Sequence, residues 1–431
     1  MKLLIISFYF PPAGGGGVQR VLKFARLLPE YGIETHVLTP EDPHWIHRDE
    51  ELEAPVGVSV HRSPYIGPRG RRPAEELYGL GGVRRLARRA SLAPRRLVMP
   101  DENASWALTA VPAGLRVARR EGFDAVMTSS PPSSVHVIGA ILSRKLGIPW
   151  IADLRDSIVA KEDRRVDRPL VRIKERTHAY VAALVAREAA AIVGVTPTIC
   201  AEMERLTPRG RLATIPNGAD FDDFDSLSYN PTERFRITHT GSFFGQRSPR
   251  PFLTALAQSN LDVVARFIGD FRAADRDWAH ALELGDKLEL YPFLSHRHAL
   301  ALQRDSDALL LLLPEIGARG KDIPSGKLYE YIAAQRPILA AVPPDGAAAE
   351  LIREAGAGII VDPDDVDAIR GALETLVERW KEGGLPDTSL RSDLKASLSR
   401  RARVEEFAQL LTAVTDATTP AVRVNSALGR V

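Results

Sequence analysis

The chain has 431 residues, 45% of them hydrophobic and 26% charged, with a formal net charge of +2. That length exceeds one ordinary core and those proportions exclude a disordered or fibrous protein, so two or three globular domains are expected. A single cysteine, Cys200, excludes a disulfide framework and a cysteine-ligated zinc or iron–sulfur site, and it fits a reducing compartment.

Met1–Ser7 is apolar, but Pro11 and Pro12 end the run far short of a signal peptide. No stretch approaches the roughly 20 apolar residues that span a bilayer. A cytoplasmic protein, soluble or peripheral on the inner membrane face, is expected. Its charge is unevenly spread: residues 1–216 hold 32 basic and 23 acidic side chains, residues 217–431 hold 25 and 32. A basic first half suits an anionic partner.

In chain order, Lys2–Phe8 reads as a buried strand, stopped by a proline- and glycine-rich loop. Apolar positions from Val18 to Leu28 follow the helical period, and Thr35–Leu38 gives a second strand. Strand, glycine loop, helix and strand open a parallel, doubly wound domain. The rhythm continues with strands at Asp124–Thr128 and Pro149–Leu154 around the helix Val135–Leu146, then helix Ala179–Ala191 and strand Ala191–Val195. It restarts at Phe235–Thr240, followed by Gly241-Ser242-Phe243-Phe244-Gly245 and the helix Pro251–Gln258. Strands at Val263–Ile268, Leu288–Tyr291, Ala308–Leu313, Pro337–Ala341 and Gly358–Val361 complete it. The fold class is therefore α/β, with two Rossmann-like parallel-sheet domains. The first is placed at 1–216, with a basic insertion at about 66–98, and the second at 233–400. A turn-rich, acidic linker occupies 217–232, a C-terminal helix 401–417 and a loose tail 418–431.

Three segments could carry chemistry. Gly14–Gly17 lies between the first strand and helix, where Gly15, Gly16 and Gly17 would let backbone approach an anion at a helix N-terminus. The same run also reads as a loop with no ligand, and Val18-Gln19-Arg20 breaks the dinucleotide spacing G-x-G-x-x-G. Asp153, Arg155 and Asp156 stand at the carboxyl end of a strand, where ligands of open α/β sheets sit; an internal ion pair is the competing reading. Asp322 to Tyr331 opens a helix through Ser325, Gly326, Lys327 and Leu328, whose amides could hold a phosphate, while Glu330 lies one turn in, placed to accept ribose hydroxyls. A solvated amphipathic helix is the alternative. No Asp-x-Asp pair stands at a strand end, so no metal or other cofactor is expected; Asp362, Asp364 and Asp365 read as a helix cap.

The segment Ile323–Ala341 resembles the donor-site signature of glycosyltransferase family 4. That signature has two acids with seven residues between them; Asp322 and Glu330 keep the spacing, with Asp in place of the first Glu. The resemblance runs from Leu3 to about Thr415 and takes in the glycine loop, Pro100-Asp101 with Trp106, Ser129-Ser130-Pro131-Pro132, Asp153–Asp156, the hinge-like Pro216–Asp220 and Thr240-Gly241-Ser242. Several of these are similar to a subgroup that assembles bacterial surface polysaccharides. The resemblance implies the GT-B fold and a retaining, metal-independent transfer of sugar from a UDP- or GDP-linked donor to a glycan or polyprenyl-diphosphate-linked acceptor. It implies that Glu330 binds the ribose, that Asp322 lies near the donor sugar, and that a basic residue after Gly241 and Ser242 holds the diphosphate. Arg247 is the first candidate and Arg250 the second. Where many members carry a sugar-contacting His, this chain has Arg155. A retaining enzyme needs no protein base; an inverting one would use Asp153 or Asp156. A nucleotide-sugar epimerase and a non-catalytic sugar-nucleotide binder share the architecture.

Arg69, Arg71, Arg72, Arg84, Arg85, Arg88, Arg89, Arg95 and Arg96 form a basic group interspersed with Leu77, Tyr78, Leu80, Leu86, Leu92 and Leu97. It reads as a docking face for an anionic membrane or lipid diphosphate, or as a solvated insertion. Few aromatic residues accompany it, so nucleic-acid binding is not expected.

Overall fold

The first strand, β1 (Lys2–Ser7), is buried along nearly its whole length. Its side chains alternate: Leu3 and Ile5 enter one core, Leu4 and Ile6 the other, as a central parallel strand covered on both faces requires. The structure, a computed structural model, describes residues 1–43, 47–68, 77, 80–92, 95, 97–159, 169–243, 247–315, 321–322 and 324–418. The sequence readings on Arg69, Arg71, Arg72, Tyr78, Arg96, Phe244, Gly245, Ile323 and residues 419–431 lie outside these.

Around β1 are β2 (Glu34–Glu41), β3 (Ser59–Pro64), β4 (Ala125–Ser130), β5 (Trp150–Leu154), β6 (Ala191–Gly194) and β7 (Arg211–Thr214). They form one sheet in the order β3-β2-β1-β4-β5-β6-β7, with every pair parallel. Helices α1 (Gly16–Leu27), α2 (Gly82–Ser91), α3 (Ala107–Glu121), α4 (Val135–Leu146), α5 (Pro169–Glu188) and α6 (Pro197–Glu204) lie between the strands in sequence. The second sheet runs β10-β9-β8-β11-β12-β13, from β8 (Phe235–Thr240), β9 (Val263–Ile268), β10 (Leu288–Tyr291), β11 (Ala308–Leu312), β12 (Ile338–Ala341) and β13 (Gly358–Val361). Its helices are α7 (Arg250–Ala257), α8 (Ala273–His280), α9 (His296–Arg304), α10 (Gly326–Ala334), α11 (Ala347–Ala355), α12 (Val366–Lys381) and α13 (Ser392–Leu398). Asp365 caps α12, accepting from the Ala368 amide at 2.9 Å.

β3 and β7 are additions to the sequence reading. Both are edge strands with partly exposed, largely polar residues, so they lack the apolar run that marks a central strand. The last helix, α14 (Arg400–Thr418), returns to the first domain, where Val404, Phe407 and Leu411 join the core of Leu3, Ile5 and Phe24. Burying each such side chain stabilises the docking by roughly 1.5–3 kcal/mol. Chain crossings at the hinge pair closely: the Ala219 amide donates to Leu398 O at 2.7 Å, and the Arg400 amide to Ala219 O at 2.9 Å. A Cβ on Gly218 would stand 2.7 Å from Arg400 Cα, so only glycine admits the returning strand.

The stretch read as a linker is anchored to the second domain. Phe224 is buried with Leu309 and Tyr331, and Tyr229 donates a 2.5 Å hydrogen bond to Asp307. Two aromatic side chains spaced through acidic sequence were enough to seat it, and periodicity cannot register such isolated anchors.

Candidate functional site

In each sheet the strand order reverses direction beside the first strand of the domain: β1 lies between β2 and β4, and β8 between β9 and β11. Loops leaving the carboxyl ends of β1 and β8 open at these switch points, where open α/β sheets bind ligands. The glycine loop follows β1, and Gly241 follows β8.

On the second domain, α10 begins at Gly326, with Ser325 as its N-cap residue in extended conformation and without a side-chain cap. The amides heading such a helix lack intrahelical partners and carry the positive end of its dipole. Lys327 runs alongside: a Cβ on Gly241 would lie 3.0 Å from its Nζ, and Gly241 itself has φ 110°, a conformation that side chains resist. Burial and the nearby Arg247 push the Lys327 ammonium down to about 7. Its hydrogen-bond partner is neutral His239, buried at the end of β8. His239 Nδ1 faces Leu310 O at 2.9 Å and must therefore carry the ring proton, leaving Nε2 to accept from Lys327 Nζ at 3.2 Å. Burial, then Lys327, hold His239 well below its ordinary value.

One turn along α10, Glu330 is gripped on both oxygens. His296 Nε2 stands 3.3 Å from Oε1, and Gln303 Nε2 donates to Oε2 at 3.3 Å. Burial pushes this carboxyl up, but the His296 hydrogen bond and charge with Gln303 overcome it, so it sits below the usual carboxylate range. Burial lowers His296 while Glu330 raises it, with a net upward shift. Each group thus favours the charged form of the other. Two carboxylate oxygens offer about four acceptor directions, so a vicinal diol can still bind. Tyr331 fixes the helix register by accepting from the Thr240 amide at 2.8 Å.

Three residues expected to contact the donor are engaged within the protein instead. Leu328 is wholly buried and its amide donates to Ser325 O at 2.9 Å, so neither part meets a ligand. Ser242 Oγ accepts from the Asp270 amide at 2.9 Å, bracing its own loop. Arg250 pairs with buried Asp275 at 2.9 Å and lies over Trp278, which commits it to the packing of α7 on α8. Arg247 alone of the two arginines belongs to the cleft: its neighbours are Lys327 and, across the cleft, Asp156. Asp322 and Lys321 stand just before the loop, with Lys321 paired to Asp345 at 2.9 Å.

On the first domain, Gly15 caps α1, and Gly16 is exposed at its start. Asp153 is wholly buried. Arg20 donates to its Oδ1 at 2.8 Å, and Ser129 Oγ to its Oδ2 at 2.7 Å. A carboxylate so enclosed cannot reach a substrate hydroxyl; the ion-pair reading holds for Asp153, with Arg20 rather than Arg155 as partner. Arg20 also donates to Ile215 O and Pro216 O, tying α1 to the hinge. Arg155 spans the loops: Nε donates to Ser130 O at 2.9 Å, Nη1 to Gly17 O. Asp156 is exposed and faces Arg247 electrostatically.

A segment after β2 joins the two walls. The Asp49 amide donates to Pro12 O at 2.9 Å, while Asp49 Oδ2 accepts from the His296 amide at 2.7 Å. The His47 ring stacks on Phe293 at 4.3 Å. His239, His296, Gln303 and Asp49 were not singled out in the sequence. His239 left a signal, a polar residue two positions before the glycine that follows a strand. His296 and Gln303 are seven apart on one helix face, but nothing local says what they face.

Two Rossmann-like domains, joined by a hinge and recrossed by a terminal helix, with a cationic helix N-terminus opposite a glycine loop, define the GT-B fold. Residues 15–218, from the first loop to the hinge, match the model of the glycosyl transferase 4-like domain, and the protein is a glycosyltransferase. Solved structures of similar fold include sucrose-phosphate synthase from Thermosynechococcus elongatus, at TM-score 0.66 and 16% identity, covering 96% of this chain and 99% of that one. HepE of Anabaena, in complex with UDP and glucose, gives 0.59 and 17%, covering 96% and 100%. Trehalose 6-phosphate synthase from Burkholderia multivorans gives 0.60 and 13%, covering 97% and 100%. No curated protein matches the chain.

Proposed function

We propose that the protein transfers a glycosyl group from a UDP- or GDP-linked sugar to a hydroxyl of a glycan or polyprenyl-diphosphate-linked acceptor, in building a cell-surface polysaccharide. The observation that carries the donor is the second-domain wall: Lys327 and Arg247 beside the α10 N-terminus, with Glu330 one turn deeper. Spacing a cationic patch and a carboxylate in this way matches a pyrophosphate followed by a ribose. That HepE was solved with UDP-glucose agrees with such a ligand.

In this reading the diphosphate leaves with its new charge held by Lys327, Arg247 and the Gly326 and Lys327 amides. Those groups develop their strongest contact as the glycosidic bond breaks, which lowers the barrier without a divalent ion. Lys327 enters the reaction protonated, because an incoming dianion reverses the depression caused by burial and Arg247. Glu330, oriented by His296 and Gln303, holds the ribose diol. The acceptor approaches from the first domain along Gly15–Gly17, and the transfer proceeds on the donor's own face, with retention, the departing phosphate taking the acceptor hydroxyl's proton.

The test is turnover with a panel of nucleoside-diphosphate sugars in the presence of EDTA, with the product's anomeric configuration read by NMR. Released nucleoside diphosphate and a retained anomer are expected. A strict divalent-ion requirement or an inverted product overturns the mechanism. Donor binding without release, or conversion of donor alone, would point to a binder or an epimerase.

A further inference from the structure

The basic insertion contains a helix whose two faces differ sharply. Along α2, at the helical repeat, Val83, Leu86, Ala87 and Ala90 fall within an arc of about 100°, and Arg84, Arg85, Arg88 and Arg89 within about 140° opposite. No residue of this helix is buried: Val83 is 82% exposed and Leu86 69%. Ile66 and Leu97, at the two ends of the insertion, are exposed as well. A helix that hides none of its apolar stripe gains nothing from its own domain. Its position is not arbitrary, because the insertion leaves the carboxyl end of β3 at Pro64, the sheet end that also carries Gly15–Gly17 and Arg155. At its base the fold is firm: Tyr65 donates to Asn103 Oδ1 at 2.7 Å, and Asp101 accepts from the Ser134 amide at 2.8 Å.

The geometry points to α2 as a membrane-surface helix that lays Val83 and Leu86 into an anionic lipid leaflet while its arginines meet the headgroups. Charge complementarity selects this occupant. Arg84 and Arg89 flank the apolar arc symmetrically, each about 110° from its centre, at the level where lipid phosphates lie when the stripe is submerged. A nucleic acid would engage the arginines but leave the apolar stripe in water, and the helix offers no aromatic ring for base stacking. Seating α2 on a leaflet brings the first-domain mouth of the cleft toward the surface.

The experiment is co-sedimentation of the full chain with vesicles of phosphatidylcholine alone or mixed with phosphatidylglycerol, at rising salt. Binding to the anionic vesicles alone, weakened by salt, is expected. It should fall about fivefold for each reversed arginine in Arg84→Glu/Arg89→Glu, and fall clearly in Val83→Ser/Leu86→Ser. Both variants alter only exposed positions, and unchanged thermal midpoints confirm that they fold. Equal pelleting with both vesicle types, wild-type pelleting of either variant, or no pelleting at all overturns the proposal. Retention on a polynucleotide with no vesicle binding overturns it in favour of a nucleic-acid partner.

Discussion

At the switch point of the first sheet, cations are consumed by the protein itself. Arg20 is matched by Asp153 and two hinge carbonyls, and Arg155 by the carbonyls of Ser130 and Gly17. At the switch point of the second sheet, Lys327 bonds to a neutral imidazole and stands near Arg247, a like charge that depresses it further. One wall is electrostatically settled, whereas the other is held in a state that an anion would relieve. Parts of the same kind (glycine loop, helix N-terminus, basic side chains) thus differ in what they face: the protein's own carboxylate and carbonyls on the first domain, a neutral imidazole and a like charge on the second. A basic residue near a cleft is not informative until its partner is known.

The largest effect tests the settled wall. Asp153→Ala leaves Arg20 buried without its carboxylate and should cost about 3–5 kcal/mol in a denaturant titration, whereas exposed Asp156→Ala should stay within about 0.5 kcal/mol. Equal, small losses would mean that the first wall is not held by this pair. On the second wall, Lys327→Ala should lower single-turnover transfer by about 10²–10³-fold with stability retained, the scale of removing one preorganised donor. A loss of only a few-fold would erase the contrast between the walls. Glu330→Gln should weaken nucleoside-diphosphate affinity by about 10–100-fold, since bonds to an ionised acceptor become bonds to a neutral one; titration calorimetry reads this directly.

The pH dependence sharpens the same comparison. Above about 7 the free protein holds Lys327 uncharged, and in the proposed complex the diphosphate restores its proton. Binding should therefore take up a proton, with affinity full below 7 and falling about tenfold per pH unit above it until the bound-state value is reached. Calorimetry in buffers of different ionisation enthalpy measures the uptake; none at pH 8 would contradict the shifted lysine. The smallest effect is expected at Arg250→Ala. Its partly exposed pair with Asp275 and its contact with Trp278 contribute about 1 kcal/mol or less, and donor affinity should not change.

Much of this molecule is written in local sequence. Apolar runs such as Leu3–Ile6 and Leu309–Leu312 are long enough, and sufficiently punctuated by glycine and proline, to mark buried parallel strands, and their repetition marks two domains. The loop–helix unit from Ser325 to Glu330 was legible too, because a helix start and a carboxylate one turn in are separated by local geometry alone. Which charges remain available was decided only by tertiary structure. Asp153 and Arg20 are 133 residues apart, as far beyond any sequence window as Asp49 and His296, 247 apart. Period and propensity act over a few residues, while the availability of a charge depends on what the folded chain has already placed against it.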